Sequence, residues 1–299
     1  MSETALWPEG TERVPLTGPH QPFALRAPSA AAQPARPLVL VHGYHGYAAE
    51  WGPLAERLAT GREVWAPELA TDPQAEVRDL SGIEAQLDEV VARAGGPVDL
   101  VGTSLGGYVV LRWAASRPTD VASLTLLAPA IVTLSPWWGL PGALRLLASP
   151  RALDAEERQW RRTLATRQVA DYLDDTTPYH RDLPEAWRQA LLDNERATLV
   201  SPGADGHRRA RHDAVAEMLQ SLRRGEVAGL FTRPTLWIHG DADLKVPVAA
   251  GRAFATTLPR VHVEELPAVG HLPHLERPDA VAALIEQWVG VSAPRAGTP

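Results

Sequence analysis

Val98-Asp99-Leu100-Val101-Gly102-Thr103-Ser104-Leu105-Gly106-Gly107 is the stretch that decides the fold. Val98 to Val101 has the character of a buried strand, and Leu105 to Ser116 has helical character. Between them lies Gly-x-Ser-x-Gly, a pattern with a mechanical meaning only where a strand turns at once into a helix. The glycines two before and two after Ser104 leave room for strand and helix to approach closely, and Gly107 widens that clearance. The serine then occupies a strained backbone position with its Oγ raised above the sheet edge. The helix beginning at Leu105 also presents N–H groups without intrahelical partners to a developing negative charge. An ordinary glycine-rich turn accounts for the same five residues, so the case rests on what surrounds them.

On both sides the same strand-then-helix unit repeats. Leu38-Val39-Leu40-Val41 is an apolar run ending in His42-Gly43, followed by a loop and a helix around Trp51 to Thr60. Glu63 to Ala66 reads as a second strand, and Pro73 to Ala94 as a long amphipathic helix stopped at Gly95-Gly96-Pro97. Downstream come strands at Val121 to Ala128, Thr235 to Ile238 and Val261 to Glu265, with helices at Val248 to Thr257 and Asp279 to Val289. This alternation predicts an α/β fold with a mostly parallel, doubly wound sheet covered on both faces. Leu16 to Pro22 and Phe23 to Ala27, in the Pro/Ala-rich start, read as short extended segments at a sheet edge. The last residues, 292–299, read as frayed.

About a hundred residues separate the strand ending at Ala128 from the one starting at Thr235, and they show helical periodicity without a convincing strand. An insertion that long is expected to be a subdomain. The domain expectation is therefore a core of 1–130 and 233–299 with a helical insertion over 131–232. The insertion is electrically neutral, with fourteen acidic residues and fourteen arginines, so the net charge of -7 sits on the rest of the chain.

A serine hydroxyl needs a base to take its proton, and the base needs a carboxylate to fix its tautomer and stabilise the imidazolium. In this topology the order along the chain is Ser, Asp/Glu, His, each after a strand. After Thr235 to Ile238 comes His239-Gly240-Asp241-Ala242-Asp243-Leu244-Lys245-Val246-Pro247; after Val261 to Glu265 comes Leu266-Pro267-Ala268-Val269-Gly270-His271. Each supplies one missing partner.

From Leu38 to Val289 the chain resembles the α/β-hydrolase family, with its long insertion where that family often carries a cap. His42-Gly43-Tyr44-His45-Gly46 with Trp51 is similar to the family's oxyanion loop, and Gly102 to Gly107 to its nucleophile elbow. Gly240 to Pro247 resembles the acid loop, where the aspartate four residues before the proline, Asp243, is the triad acid; Asp241 is then a turn or capping residue. Gly270 to Pro278 resembles the histidine segment, with His271 as base ahead of His274. The resemblance implies Ser104, Asp243 and His271 as the catalytic set, and the N–H groups of Tyr44 and Leu105 as the oxyanion hole. It also implies a loop-fixing role for His42 and a packing role for Trp51. No rival acid stands behind Ala128, because Pro129 to Thr133 holds no carboxylate. His262 lies within a strand and carries no role.

A cap in this family covers the site and shapes substrate choice. Within the insertion Trp137, Trp138, Trp160, Trp187, Tyr172 and Tyr179 are aromatic, and packing between cap helices accounts for each of them as well as a pocket does. Pro136-Trp137-Trp138-Gly139, just past the strand end, is the best pocket candidate. The basic run His207 to His212 reads as a solvated helix face.

The remaining chemistry classes are narrowed by composition. The chain of 299 residues has no cysteine, which excludes disulfides, thiolate catalysis and cysteine-ligated zinc. The net charge opposes broad attraction to nucleic acid or anionic lipid. The start lacks the features of a secretory signal and no stretch approaches the roughly 20 apolar residues of a membrane span, so a soluble cytoplasmic protein is expected. His42/His45 and His207/His212 lack a supporting ligand cluster, so no metal is expected. The expectation is a cofactor-free serine hydrolase acting through an acyl-enzyme on a carboxylic ester or lactone of a small, largely apolar substrate. Carbon-carbon bond hydrolysis, thioester cleavage and a non-hydrolytic binding or cyclising protein on the same scaffold stay open, as does oligomeric state. Epoxide hydrolases and haloalkane dehalogenases of this fold carry an aspartate at the elbow, so Ser104 speaks against both.

Overall fold

The computed structural model describes residues 6–17, 22–43, 46–69, 80–131, 184–190, 193, 215–258 and 260–292. Eight strands form one sheet: β1 (Glu12–Pro15), β2 (Phe23–Ala27), β3 (Ala35–Val41), β4 (Arg62–Pro67), β5 (Val98–Thr103), β6 (Val121–Leu127), β7 (Thr235–Gly240) and β8 (Val261–Leu266). The order across the sheet is β1-β2-β4-β3-β5-β6-β7-β8. β1 and β2 run antiparallel to their neighbours, and β3 through β8 are all parallel. The fold is the mostly parallel, doubly wound α/β sheet expected.

The helices alternate with these strands: α1 (Gly52–Leu58), after a 3-10 turn at Ala48–Trp51; α2 (Leu80–Ala94); α3 (Leu105–Ser116); α4 (Val248–Ala255); α5 (Pro273–Glu276); and α6 (Pro278–Ser292). Strand alternation splits the apolar side chains into two cores. Leu38, Leu40, Val64, Ala66, Leu236 and Ile238 point to the face covered by α1 and α6. Val39, Val41, Trp65, Leu100 and Trp237 point to the face covered by α2, α3 and the end of α4. Both faces are thus apolar along the central strands, the requirement of a buried parallel sheet.

Three elements depart from expectation. Of the Leu16 to Pro22 segment, residues 18–21 lie outside the described set, and Leu16, Thr17 and Pro22 are not in a strand. The hairpin partner of β2 is Glu12–Pro15, closed by the Leu16 N–H donating to the Pro22 carbonyl at 2.7 Å. Three of its four residues are exposed, so this edge strand carries no alternating apolar signal. The chain after His271 forms the short helix α5 where none was expected. Described helical structure in the long helix begins at Leu80, with residues 70–79 outside the described set.

Of the insertion, residues 215–223 are helical and Val227–Leu230 is a 3-10 turn. Met218, Leu219 and Val227 are buried in the same core as α3. Trp187 packs onto the core at Gly52, where a Cβ would lie 2.6 Å from the indole. It is a packing tryptophan. Trp137, Trp138, Trp160, Tyr172, Tyr179 and the run His207 to His212 lie outside the described residues.

The parallel strands all deliver their carboxyl ends to one edge of the sheet. There the strand order reverses between β3 and β5, the crevice position in which open α/β sheets bind ligands. The loops after β3, β5, β7 and β8 carry His42, Ser104, Asp243 and His271.

Candidate active site

Ser104 stands at the junction of β5 and α3 with φ 51° and ψ −121°, a positive-φ conformation that L side chains rarely adopt. The surroundings leave it little choice. Its N–H donates to the Leu127 carbonyl at 3.0 Å, and its own carbonyl accepts from Gly107 at 3.1 Å and Ala130 at 3.0 Å. A Cβ on Gly106 would sit 2.3 Å from the His42 carbonyl oxygen, and one on Gly102 would sit 2.5 Å from the Gly106 carbonyl oxygen. The two elbow glycines therefore answer to backbone contacts that no other residue type permits. Leu105 is the first residue of α3, so its N–H lacks an intrahelical acceptor. The β3 loop passes directly alongside: a Cβ on Gly43 would lie 2.9 Å from the Ser104 Cβ.

Asp243 and His271 meet across the ends of β7 and β8. His271 Nδ1 lies 2.8 Å from Asp243 Oδ2, and both residues are buried. Asp243 Oδ1 accepts the N–H groups of Lys245 and Val246, each at 2.8 Å. Oδ2 also faces the ring of His239, whose Nε2 lies 3.1 Å away. Burial alone would raise the pKa of this carboxyl. The hydrogen bonds from His239 and His271, the charge of His271 and the Val246 N–H outweigh that, and hold it well below the usual carboxylate range. An ionised acid that accepts the Nδ1 proton of a histidine leaves Nε2 of that ring as a base.

Other groups brace the loops. Glu276, on α5, accepts the Gly270 N–H at 2.8 Å and the Leu272 N–H at 3.1 Å, gripping the chain on either side of His271. Burial pushes its pKa up against those two hydrogen bonds. Asp241 accepts the Ala268 N–H at 2.8 Å, tying the acid loop to the turn before His271, and Gly240 lets the two loops touch, since a Cβ there would be 2.2 Å from the Val269 carbonyl oxygen. His42 Nδ1 contacts the Gly43 carbonyl at 2.9 Å and Nε2 accepts the Leu69 N–H at 3.1 Å, which fixes the loop after β3. Trp51 is fully buried and packs on the ring of His274, with centroids 4.3 Å apart. His274 itself is buried 3.5 Å from Glu50 Oε1, and His262 is exposed beside Glu264 and Trp288. Tyr44 lies outside the described residues. Among the described residues, no group of three or more His, Cys, Asp or Glu side chains is placed to hold a metal ion.

The family model described as "Alpha/beta hydrolase family" matches residues 38–284. The chain belongs to the alpha/beta hydrolase family. Within it, the chain is 29% identical over 253 residues to a pimeloyl-[acyl-carrier protein] methyl ester esterase from Chromobacterium violaceum, an alignment covering 83% of this chain and 92% of that one. It is also 27% identical to a biotin biosynthesis bifunctional protein from Teredinibacter turnerae, over 95% of this chain and 50% of the relative's length. Among solved structures, an esterase from Thermogutta terrifontis superposes with a TM-score of 0.68 at 21% identity, covering 95% of this chain and 99% of that one. A 2-hydroxy-6-oxo-6-phenylhexa-2,4-dienoate hydrolase from Rhodococcus sp. strain RHA1 superposes at 0.70 and 20% identity, covering 93% and 97%. At those identities the superpositions establish a shared fold and nothing finer.

Of the residues singled out from this alpha/beta hydrolase sequence, Asp243 and His271 are brought into contact, and Ser104 occupies the strained elbow on the same sheet edge. Two residues that support the arrangement were not singled out. Glu276 is visible in sequence as the acid five residues past His271, and His239 as the last side chain of β7, four before Asp243.

Proposed function

We propose that this protein is a carboxylic ester hydrolase that works through an acyl-enzyme on Ser104. His271 Nε2 takes the Ser104 proton as Oγ attacks the carbonyl carbon, and Asp243 stabilises the resulting imidazolium. We assign the N–H groups of Leu105 and Tyr44 the role of stabilising the oxyanion of the tetrahedral intermediate. His271 then returns the proton to the departing alcohol, and a water activated by the same histidine hydrolyses the acyl-enzyme, restoring Ser104. No cofactor enters this cycle.

The observation that carries the proposal is the buried Asp243–His271 contact, made by a carboxylate whose acceptor sites are all engaged and which stays ionised. The methyl ester esterases among the relatives support an ester with a small alcohol leaving group. We place the protein in the cytoplasm, with a small, largely apolar ester or lactone as substrate; among the described residues no helix is long and apolar enough to cross a membrane. Residues 131–232 are assigned as the cap over the site.

The test is hydrolysis of a graded series of methyl and p-nitrophenyl esters by wild type and Ser104→Ala. Wild type is expected to turn over at least the short members and the variant none. Equal rates in the two proteins would overturn the proposal, and cleavage confined to a vinylogous diketone would reassign the bond broken to carbon-carbon.

A further inference from the structure

Beyond the triad, β7 ends in two side chains that the proposed cycle does not use. Trp237 and His239 are two residues apart, so both project to the α3/α4 face of the sheet, and neither has exposed surface. Their rings lie nearly coplanar and edge to edge, with an interplanar angle of 17° and centroids 6.4 Å apart. α4 passes so close that a Cβ on Gly251 would lie 3.1 Å from Trp237 Cζ2 and 3.2 Å from His239 Nδ1. The pair is held in place from above as well as along the strand.

Hydrogen-bond directions admit only one state of His239. Trp237 Nε1 lies 3.1 Å from His239 Nδ1, and an indole N–H can only donate, so Nδ1 is an unprotonated acceptor. On the other side, Nε2 lies 2.8 Å from the Val246 carbonyl oxygen and 3.1 Å from Asp243 Oδ2, both acceptors, so Nε2 carries the proton. A second proton on the ring would set N–H against N–H at Trp237.

That restriction matters because of what Asp243 does. Its Oδ2 is shared between His239 and His271. A second proton, on Nδ1, would make the ring a cation in contact with Asp243. A charged His239 would pair with Asp243 and leave no carboxylate charge for the imidazolium that His271 must become. We infer that Trp237 and His239 are positioning residues: the indole N–H holds His239 neutral as the Nε2–H tautomer, and His239 then orients Asp243 Oδ2 without competing with His271 for its charge. This rests on the ester-hydrolase reading of the same site.

Among the described residues, the charged and titratable groups around His239 are few. The loop after β7 contributes Asp243, and the histidine segment contributes His271 beyond it. On β8, Glu265 is the register partner of His239, and Arg252 of α4 binds its carboxylate. Gly251, the α4 residue against the ring, brings no charge.

The experiment has two readouts. In 15N-histidine spectra of the wild type at neutral pH, the signal assigned to His239 by its loss in His239→Gln is expected to show the neutral Nε2–H tautomer. A Nδ1–H or charged ring overturns the inference, and this measurement needs no turnover, so it stands apart from the failure of the ester-hydrolase reading. The second readout is the pH dependence of kcat/KM on p-nitrophenyl butyrate. Trp237→Phe frees Nδ1 to take a proton, which adds an inactive form of the free enzyme and moves the acid limb to higher pH. His239→Gln keeps an N–H for Asp243 and Val246 but cannot be protonated. The single variant should retain the wild-type limb, and Trp237→Phe/His239→Gln should restore it. An acid limb unmoved in Trp237→Phe, or moved but not restored in the double variant, overturns the inference and leaves the indole a packing residue.

Discussion

Gly106→Ala offers a direct test of how the elbow is built. The added Cβ would lie 2.3 Å from the His42 carbonyl oxygen and 2.5 Å from that of Val41, where real Cβ atoms essentially never come closer than 3.0 Å. Both obstacles are backbone at the end of a buried central strand, so no rotamer change relieves them. The start of α3 must instead move away from β3 by about 0.7 Å, the shortfall at the nearer oxygen. Overpacking of this kind costs typically 1–3 kcal/mol, and with two rigid obstacles we expect a value of about 3 kcal/mol. The same movement carries the Leu105 N–H and Ser104 with it. A displacement near 1 Å at a reacting group costs on the order of 100-fold, so kcat/KM should fall roughly 30- to 100-fold. Urea unfolding followed by circular dichroism, with ester hydrolysis on the same preparations, measures both effects. Gly61→Ala, where an added Cβ meets nothing within 4 Å, serves as the control and should be near neutral. A Gly106→Ala protein within 1 kcal/mol and twofold of wild type would refute the reasoning.

Three further outcomes follow from other parts of the molecule. Gly290 lies exposed in α6, and a methyl group added there would meet nothing within 4 Å, so Gly290→Ala should raise stability by about 0.5 kcal/mol in the same unfolding assay. Arg62 and Asp99 are buried and 2.8 Å apart; with Arg36 still 3.5 Å from the aspartate and Ser123 still donating to it, Arg62→Met should cost about 3 kcal/mol, the low end for a broken buried pair, while Arg62→Met/Asp99→Leu should recover most of that loss; equal losses would show the charge is not what matters. Asp243→Asn should lower kcat by about 1,000- to 10,000-fold. Because the Asp243 pKa is depressed in the fold, its stabilising contribution is fully present above the unfolded carboxyl value of about 4 and is lost as pH falls below it. The stability gap between wild type and Asp243→Asn should therefore narrow as pH falls below about 4, and a gap that widened over that range would contradict the assignment.

The alternation of apolar runs and amphipathic segments made the parallel core legible, because each central strand is buried on both faces and its ends are marked by Gly, Pro or Asp. β1 was not legible for the opposite reason: Glu12, Arg13 and Pro15 are exposed, and only pairing with β2 makes this segment a strand. The elbow and the acid and histidine loops stood out because their chemistry needs rare residue types at strand ends. His239 did not, because the apolar run stops at Ile238, while in the fold β7 continues through Gly240 and pairs His239 with Glu265. Its importance is a matter of hydrogen-bond direction between Trp237, Val246 and Asp243, which spacing alone does not encode. Glu276 was hidden similarly, since α5 forms from four residues and its acid points back at the peptide groups on either side of His271.

The central claim is that Ser104 is the nucleophile, and covalent labelling tests it most directly. Treatment with a fluorophosphonate, followed by peptide mass spectrometry, is expected to give a single adduct on Ser104, absent from Ser104→Ala and formed far more slowly in His271→Ala. An adduct on another residue, or equal labelling of wild type and Ser104→Ala, would contradict the account.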